Sequence, residues 1–326
     1  MIKKSLHKIK NSPVQYFFLK LLILLLVVFV LDFSLGNVFR YYYIKQESGE
    51  LYRITYAIEK TNEDILVLGS SRANHHYHPK VFENRLNLSF YNTGIDGEHI
   101  FYQDAILKGV LKRYAPKIIL FDFVVAEFDQ DPASYDRISS LLPYYHNHPE
   151  IRPIIKLKSP YEKYKLFSRL YPYNSEIFPI ILGNTEYKKT KHEGVKGYIP
   201  RKEIWDEPIK TMIYPDKYLL DSNKINTFES MIKDCIKAKS KLYIVCSPYF
   251  FNAKNQEYSI RLGKQIAKKY NVDFFDFSDN PAFTSNANLF ADFAHLNDSG
   301  AKLFSAMVID SIIKKDEVFI NKFVLR

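Results

Sequence analysis

A lysine-flanked apolar run near the start of the 326-residue chain sets its physical surroundings before anything else is read. Lys3, Lys4, Lys8, Lys10 and Lys20 fall in the first twenty residues, which contain no acid. From Val14 to Leu31 only Gln15, Tyr16 and Lys20 interrupt the apolar sequence, and Leu21 to Leu31 is unbroken. A helix that crosses a bilayer needs roughly 17–25 apolar residues, a length that 14–35 meets if Lys20 snorkels toward the basic side. With the lysines leading, the positive-inside rule predicts a single-pass anchor in the cell membrane, N-terminus in the cytoplasm and main domain outside. Tyr41, Tyr42 and Tyr43 are expected at the outer interface. A cleaved signal peptide ending at Ser34-Leu35-Gly36 is the alternative. The uncleaved anchor is preferred because the run exceeds the roughly 7–15 residues of a signal-peptide core.

Downstream, short apolar runs alternate with helical patterns. Runs at 64–68, 88–92 and 117–125 read as strands, with Ala105, Ile106, Val110 and Leu111 at helical spacing between the last two. The rhythm lapses from 129 to 220, a stretch rich in Tyr, Pro and Lys that reads as an insertion or cap. It resumes at Asp221, a candidate helix cap followed by Ile225, Phe228, Ile232, Cys235 and Ile236 on one face. Strands at 242–245 and 272–275 flank a helix, and a last helix begins near Asp298. The expected architecture is an α/β, flavodoxin-like three-layer sandwich around a parallel sheet. The chain divides into a leader (1–13), an anchor (14–35), a linker (36–61), an α/β domain (62–128 and 221–326) and the insertion (129–220).

Charge alone invites a nucleic-acid partner, since 46 bases face 36 acids. Five of the bases lie in the first twenty residues and set topology, no nucleic-acid motif accompanies the rest, and no such partner is expected. Two cysteines exclude a disulfide-stapled scaffold and a four-cysteine zinc site. Cys235 and Cys246 read as small core residues, with a disulfide between them left open.

Ligands of an open parallel sheet bind at the carboxyl ends of its strands, and three signals sit there. Gly69-Ser70-Ser71-Arg72 follows the first strand, where a serine on a tight strand-to-helix turn stands above the sheet. Asn92-Thr93-Gly94 follows the second. Asp292-Phe293-Ala294-His295 precedes the last helix, at a spacing that lets the carboxylate reach the imidazole and hold its tautomer. Arg72, His75 and Glu127 are candidate substrate contacts. His75, His76 and His78 have no carboxylate or Cys beside them in sequence, so no metal is expected there; no cofactor is expected either. His146 and His148 are expected in solvent. Tyr144, Tyr145, Tyr171 and Tyr173 either stack on sugar rings or simply pack.

Taken in order, these blocks resemble the SGNH (GDSL-like) hydrolase and acyltransferase superfamily, over about 62–128 and 221–314. The Gly-Ser-Ser variant on a single-span anchor is especially similar to its membrane-anchored envelope members, which act in D-alanyl-lipoteichoic-acid transfer and polysaccharide O-acetylation. The resemblance implies Ser71 as nucleophile, His295 as base and Asp292 as its orienting carboxylate. It implies the N–H groups of Ser71 and Gly94 as the oxyanion hole. It further implies an acylated envelope polysaccharide as substrate and a multipass acyltransferase partner as acyl donor. One departure stands out: where the family has Gly-x-Asn-Asp after the third strand, this chain reads Phe123-Val124-Val125-Ala126-Glu127-Phe128-Asp129. The loss of that Asn leaves a second expectation open, a catalytically degenerate member that binds glycan or scaffolds an envelope complex.

Overall fold

The computed structural model describes residues 12–185, 194–214, 219–254 and 257–324. The leader lysines Lys3, Lys4, Lys8 and Lys10 lie outside the described residues. Five strands form one parallel sheet: β1 (Ile65–Leu68), β2 (Phe90–Asn92), β3 (Ile118–Asp122), β4 (Lys241–Cys246) and β5 (Asp273–Asp276). Their spatial order is β2-β1-β3-β4-β5, the flavodoxin-like order. Successive side chains point to opposite faces, so β1 sends Ile65 and Val67 to one core and Leu66 and Leu68 to the other. Strands β3 and β4 alternate in the same way, which is why all three read as unbroken apolar runs.

Helices α3 (Ser71–His76), α4 (Pro79–Leu86) and α8 (Asp298–Val324) pack together on one side of the sheet. On the other lie α2 (Gly49–Glu59), α5 (Ile100–Arg113), α6 (Ser222–Ala238) and α7 (Tyr258–Lys269). Asp221 caps α6 by accepting from the amides of Asn223 (2.9 Å) and Lys224 (3.4 Å). The buried stripe of α6 runs through Phe228, Met231, Ile232 and Cys235, while Ile236 faces outward. Cys235 and Cys246 are both free thiols in the core, so no disulfide joins them.

The first helix, α1 (Pro13–Lys45), runs past the expected span and is long and apolar enough to cross a membrane; its most apolar 18-residue window has mean hydropathy 2.6 and is not buried against the domain. The segment 36–61 is not a linker. It completes α1 and then forms α2, whose Leu51, Ile54, Thr55 and Ile58 recur at helical spacing and are buried. Tyr43 is not an interfacial residue either, since it packs edge-on against Tyr144 and Tyr173 in the core.

The insertion adds to the core instead of hanging over it as a lid. Leu141, Ile151, Ile154 and Ile155 are buried in the same cluster as α5. Tyr144 and Tyr173 are buried, Tyr145 stacks under Arg152 at 5.1 Å, and Tyr171 donates to Glu162 (2.8 Å). These contacts tie the four tyrosines into the packing of the insertion. His148, expected in solvent, is buried between Glu59 (2.8 Å) and Glu150 (2.7 Å), which raise its pKa.

Candidate active site

Strand β1 ends at Leu68, and the turn through Gly69 and Ser70 brings Ser71 to the first position of α3. The loop before α8 carries Asp292 and His295 to the same place. His295 Nε2 lies 2.8 Å from Ser71 Oγ, and its Nδ1 lies 2.9 Å from both oxygens of Asp292. Asp292 is ionised, so Nδ1 carries the proton and donates to it, and Nε2 is left to accept from the Ser71 hydroxyl. Burial alone would raise the Asp292 carboxyl. Hydrogen bonds from His295 and the Ala294 amide, with the charge of Arg201 at 3.1 Å, outweigh it and hold the group at about 2.

Gly94 is placed beside this turn for a steric reason. A Cβ there would stand 2.6 Å from the Asn74 amide nitrogen, 2.8 Å from the Ala73 methyl and 2.9 Å from the Ser70 carbonyl. Its N–H, however, donates to Asn92 Oδ1 (2.9 Å), while Asn92 Nδ2 donates to the Ala73 carbonyl (2.6 Å). Asn92 thus ties the β2 loop to α3 and occupies the donor that the family resemblance assigns to the oxyanion.

Two candidate substrate contacts lie elsewhere. Arg72 is 3% exposed, with its guanidinium 3.3 Å from the Tyr249 ring centre, bonded to Ser247 Oγ and 3.9 Å from buried Asp122. It braces the underside of the site. Glu127 is buried too; it accepts from the Val124 amide (3.2 Å), and burial lifts its carboxyl to about 7. It shapes its own turn. His75 does lie at the site, its ring edge-on to His295 at 5.6 Å. Its Nδ1 is 2.7 Å from the Ile199 carbonyl and its Nε2 is 3.4 Å from half-exposed Asp96.

Residues that sequence patterns did not single out complete the frame. His76, noticed only as one of three histidines, is fully buried: the Leu296 amide donates to its Nε2 (3.0 Å), so its Nδ1–H donates to Ser247 Oγ (2.9 Å). Burial, aided by the charge of Arg72, depresses its pKa well below the ordinary value, so it is neutral. It therefore couples α3 to the loop that bears His295. Arg201 and Ile199 come from the insertion, which threads between α3 and that loop; the Ile199 amide donates to the Asn74 carbonyl (3.0 Å). Arg53 of α2 donates to Asn74 Oδ1 (2.8 Å) and to the carbonyls of Gly94 (2.5 Å) and Gly197 (2.6 Å). Nothing in local spacing marks Arg53 or Arg201; only the folded chain brings them here.

No protein-family model matches the chain, and no curated protein matches it. Among solved structures, BT4096, a gut microbial diltiazem-metabolizing enzyme, is similar at 12% sequence identity and a TM-score of 0.32. That similarity covers 77% of this chain and 47% of the other, so the chain spans about half the length of the structure it matches.

Proposed function

We propose that this chain is a membrane-anchored serine acyl esterase or O-acyltransferase of SGNH type, acting outside the cytoplasm on an acylated envelope polysaccharide. The observation that carries the reading is the unbroken chain Ser71–His295–Asp292, with both links at 2.8–2.9 Å. Ser71 Oγ attacks the acyl carbonyl as His295 Nε2 takes its proton. The tetrahedral intermediate collapses, the ester C–O bond breaks, and His295 returns the proton to the leaving alcohol. Water or a sugar hydroxyl, deprotonated by His295, then attacks the acyl-Ser71 ester and frees the serine. Asp292, ionised throughout, keeps the imidazole in the competent tautomer and stabilises its protonated form. In the transfer form, the acyl group reaches Ser71 from a multipass partner that carries it across the bilayer.

Retention of α1 is supported by its packing on the insertion, described below, which cleavage after residue 36 would sever. The test is covalent labelling with a fluorophosphonate probe, which should modify the parent at Ser71 and leave Ser71→Ala unlabelled. Equal labelling of the two would remove Ser71 as the nucleophile.

One observation favours a second reading, a degenerate member that binds glycan or scaffolds an envelope complex. The Gly94 N–H is taken by Asn92, and the loop after β3 supplies no Asn. That reading predicts that Ser71→Ala and His295→Ala leave the cellular role intact.

A further inference from the structure

We infer that the insertion makes a second contact with the bilayer, through the segment from Tyr161 to Arg169; this rests on α1 being a retained membrane span. Tyr161, Tyr164 and Phe167 recur at three-residue spacing around the short helix Glu162–Lys165 and form one outward stripe, with Phe167 80% exposed. Between them Glu162 and Leu166 plug into the domain and are buried. Lys163, Lys165 and Arg169 stand exposed beside the aromatic stripe. Exposed aromatics interleaved with basic residues match the composition of a bilayer interface, where amphipathic rings and cations both find partners.

The position of the segment along α1 identifies what covers the stripe. Asp32, three residues inside the expected end of the span, accepts from the Ser168 hydroxyl, the Arg169 amide (2.8 Å) and the Leu170 amide (3.3 Å). One turn further, Gly36 is buried, and a Cβ there would overlap the Arg169 backbone. The segment is therefore clamped to α1 at the level where the helix leaves the hydrocarbon, and Phe167 is the residue before the clamp. At that height the surroundings of an outward aromatic are lipid headgroups and upper acyl chains. Phe167 inserts there, and the neighbouring cations face anionic headgroups. Two attachments instead of one would fix the tilt of the domain, and so the height of Ser71 above the membrane.

The test uses the full chain in vesicles of phosphatidylcholine and phosphatidylglycerol, with bromines on the upper acyl chains as quenchers. Trp205 is the chain's single tryptophan, so Trp205→Phe supplies a dark background into which Phe167→Trp, Tyr164→Trp or Val27→Trp is placed. All three positions are exposed on the protein, so the introduced rings displace no core packing, and circular dichroism of the Trp205→Phe background checks that it folds as the parent does. A ring seated roughly 5–10 Å into the headgroup boundary should lose emission to these lipids relative to unbrominated ones. We expect that loss at positions 167 and 27, and a smaller one at 164. Quenching at 27 but not at 167 would overturn the second contact and leave the anchor standing. No quenching at 27 would overturn the anchor, and the second contact with it.

Discussion

His76→Phe isolates the role of a neutral buried imidazole in placing His295, the proposed base. The ring keeps its volume, but the Leu296 amide loses its acceptor and Ser247 Oγ loses a donor. Leu296 is fully buried, so the stranded N–H costs about 1–3 kcal/mol unless the loop moves to rehydrate it. Because Leu296 adjoins His295, relief of that cost shifts the base from its 2.8 Å contact with Ser71, and a misplacement of about 1 Å costs on the order of 10²-fold in rate. The pH dependence adds a readout that packing loss alone would not move. The folded-state pKa of His76 is depressed, so the unfolded chain takes up the proton first, and this residue's contribution to stability falls as pH drops below about 6.5. The slope for one proton is about 1.4 kcal/mol per pH unit. Glu127 and Glu257, held up at about 7 by burial, act in the opposite sense in the same window, so only the difference between parent and variant is diagnostic. Urea denaturation at pH 7 and pH 5, with hydrolysis of a p-nitrophenyl ester alongside, measures both. His76→Phe should be less stable at pH 7, lose less stability on acidification and hydrolyse about 10²-fold more slowly. A variant with reduced stability, an unchanged rate and the parental pH slope would refute the reasoning.

Three further outcomes follow from the same geometry. Asp292→Asn should lower ester hydrolysis about 10⁴-fold with the fold intact, because the carboxamide presents its N–H₂ or a neutral oxygen to Nδ1 and no longer fixes the tautomer; a loss under tenfold would sink the orienting role. Gly94→Ala should abolish fluorophosphonate labelling while leaving the chain folded by circular dichroism, since the added methyl meets the backbone of the nucleophile turn; labelling at the parental rate would contradict the close approach. Glu98 is buried and its carboxyl is pushed to about 8, so its contribution to stability is present at low pH and lost as pH rises through that value. Glu98→Gln should therefore narrow the stability difference between pH 7 and pH 9, and denaturation midpoints that track the parent at both would overturn the assignment.

The sheet was legible because its strands are buried on both faces and so appear as plain apolar runs, as Ile65–Leu68 and Ile118–Asp122 show. The association of Ser71, Asp292 and His295 was legible for a different reason. Each sits next to an element boundary that turn and capping residues mark, and the doubly wound order carries such boundaries to one edge. Segment 36–61 reads as a linker in sequence because its helical stripe, Leu51, Ile54, Thr55 and Ile58, follows directly on a membrane-like run whose apolar composition masks where the domain begins. Arg72 reads as a substrate contact in sequence because an arginine beside a candidate nucleophile suggests substrate. Its burial depends on Tyr249 and Ser247, more than 170 residues away, and no local pattern contains them.

The bond between Gly94 and Asn92 bears directly on how fast such a site can turn over. Asn92 satisfies two backbone groups at once, the Gly94 N–H and the Ala73 carbonyl, and is itself fully buried. That arrangement stiffens the nucleophile turn in the free protein and leaves the Gly94 donor facing a competitor. With no Asn in the loop after β3, an oxyanion formed by the proposed chemistry would meet fewer donors than the pattern the chain resembles supplies, and each one missing costs about 10²–10³ in rate. A missing donor slows attack on the acyl-enzyme by water and by a sugar hydroxyl alike. A sugar hydroxyl bound in line has an effective concentration that reaches about 10⁵ M or more, enough to offset one lost donor. Under the proposed chemistry this argues for transfer over hydrolysis. The expected signature is an acyl-Ser71 ester that persists in water and is discharged at least tenfold faster when an oligosaccharide acceptor is added. Discharge at the same rate with and without acceptor would mean that the site is a hydrolase.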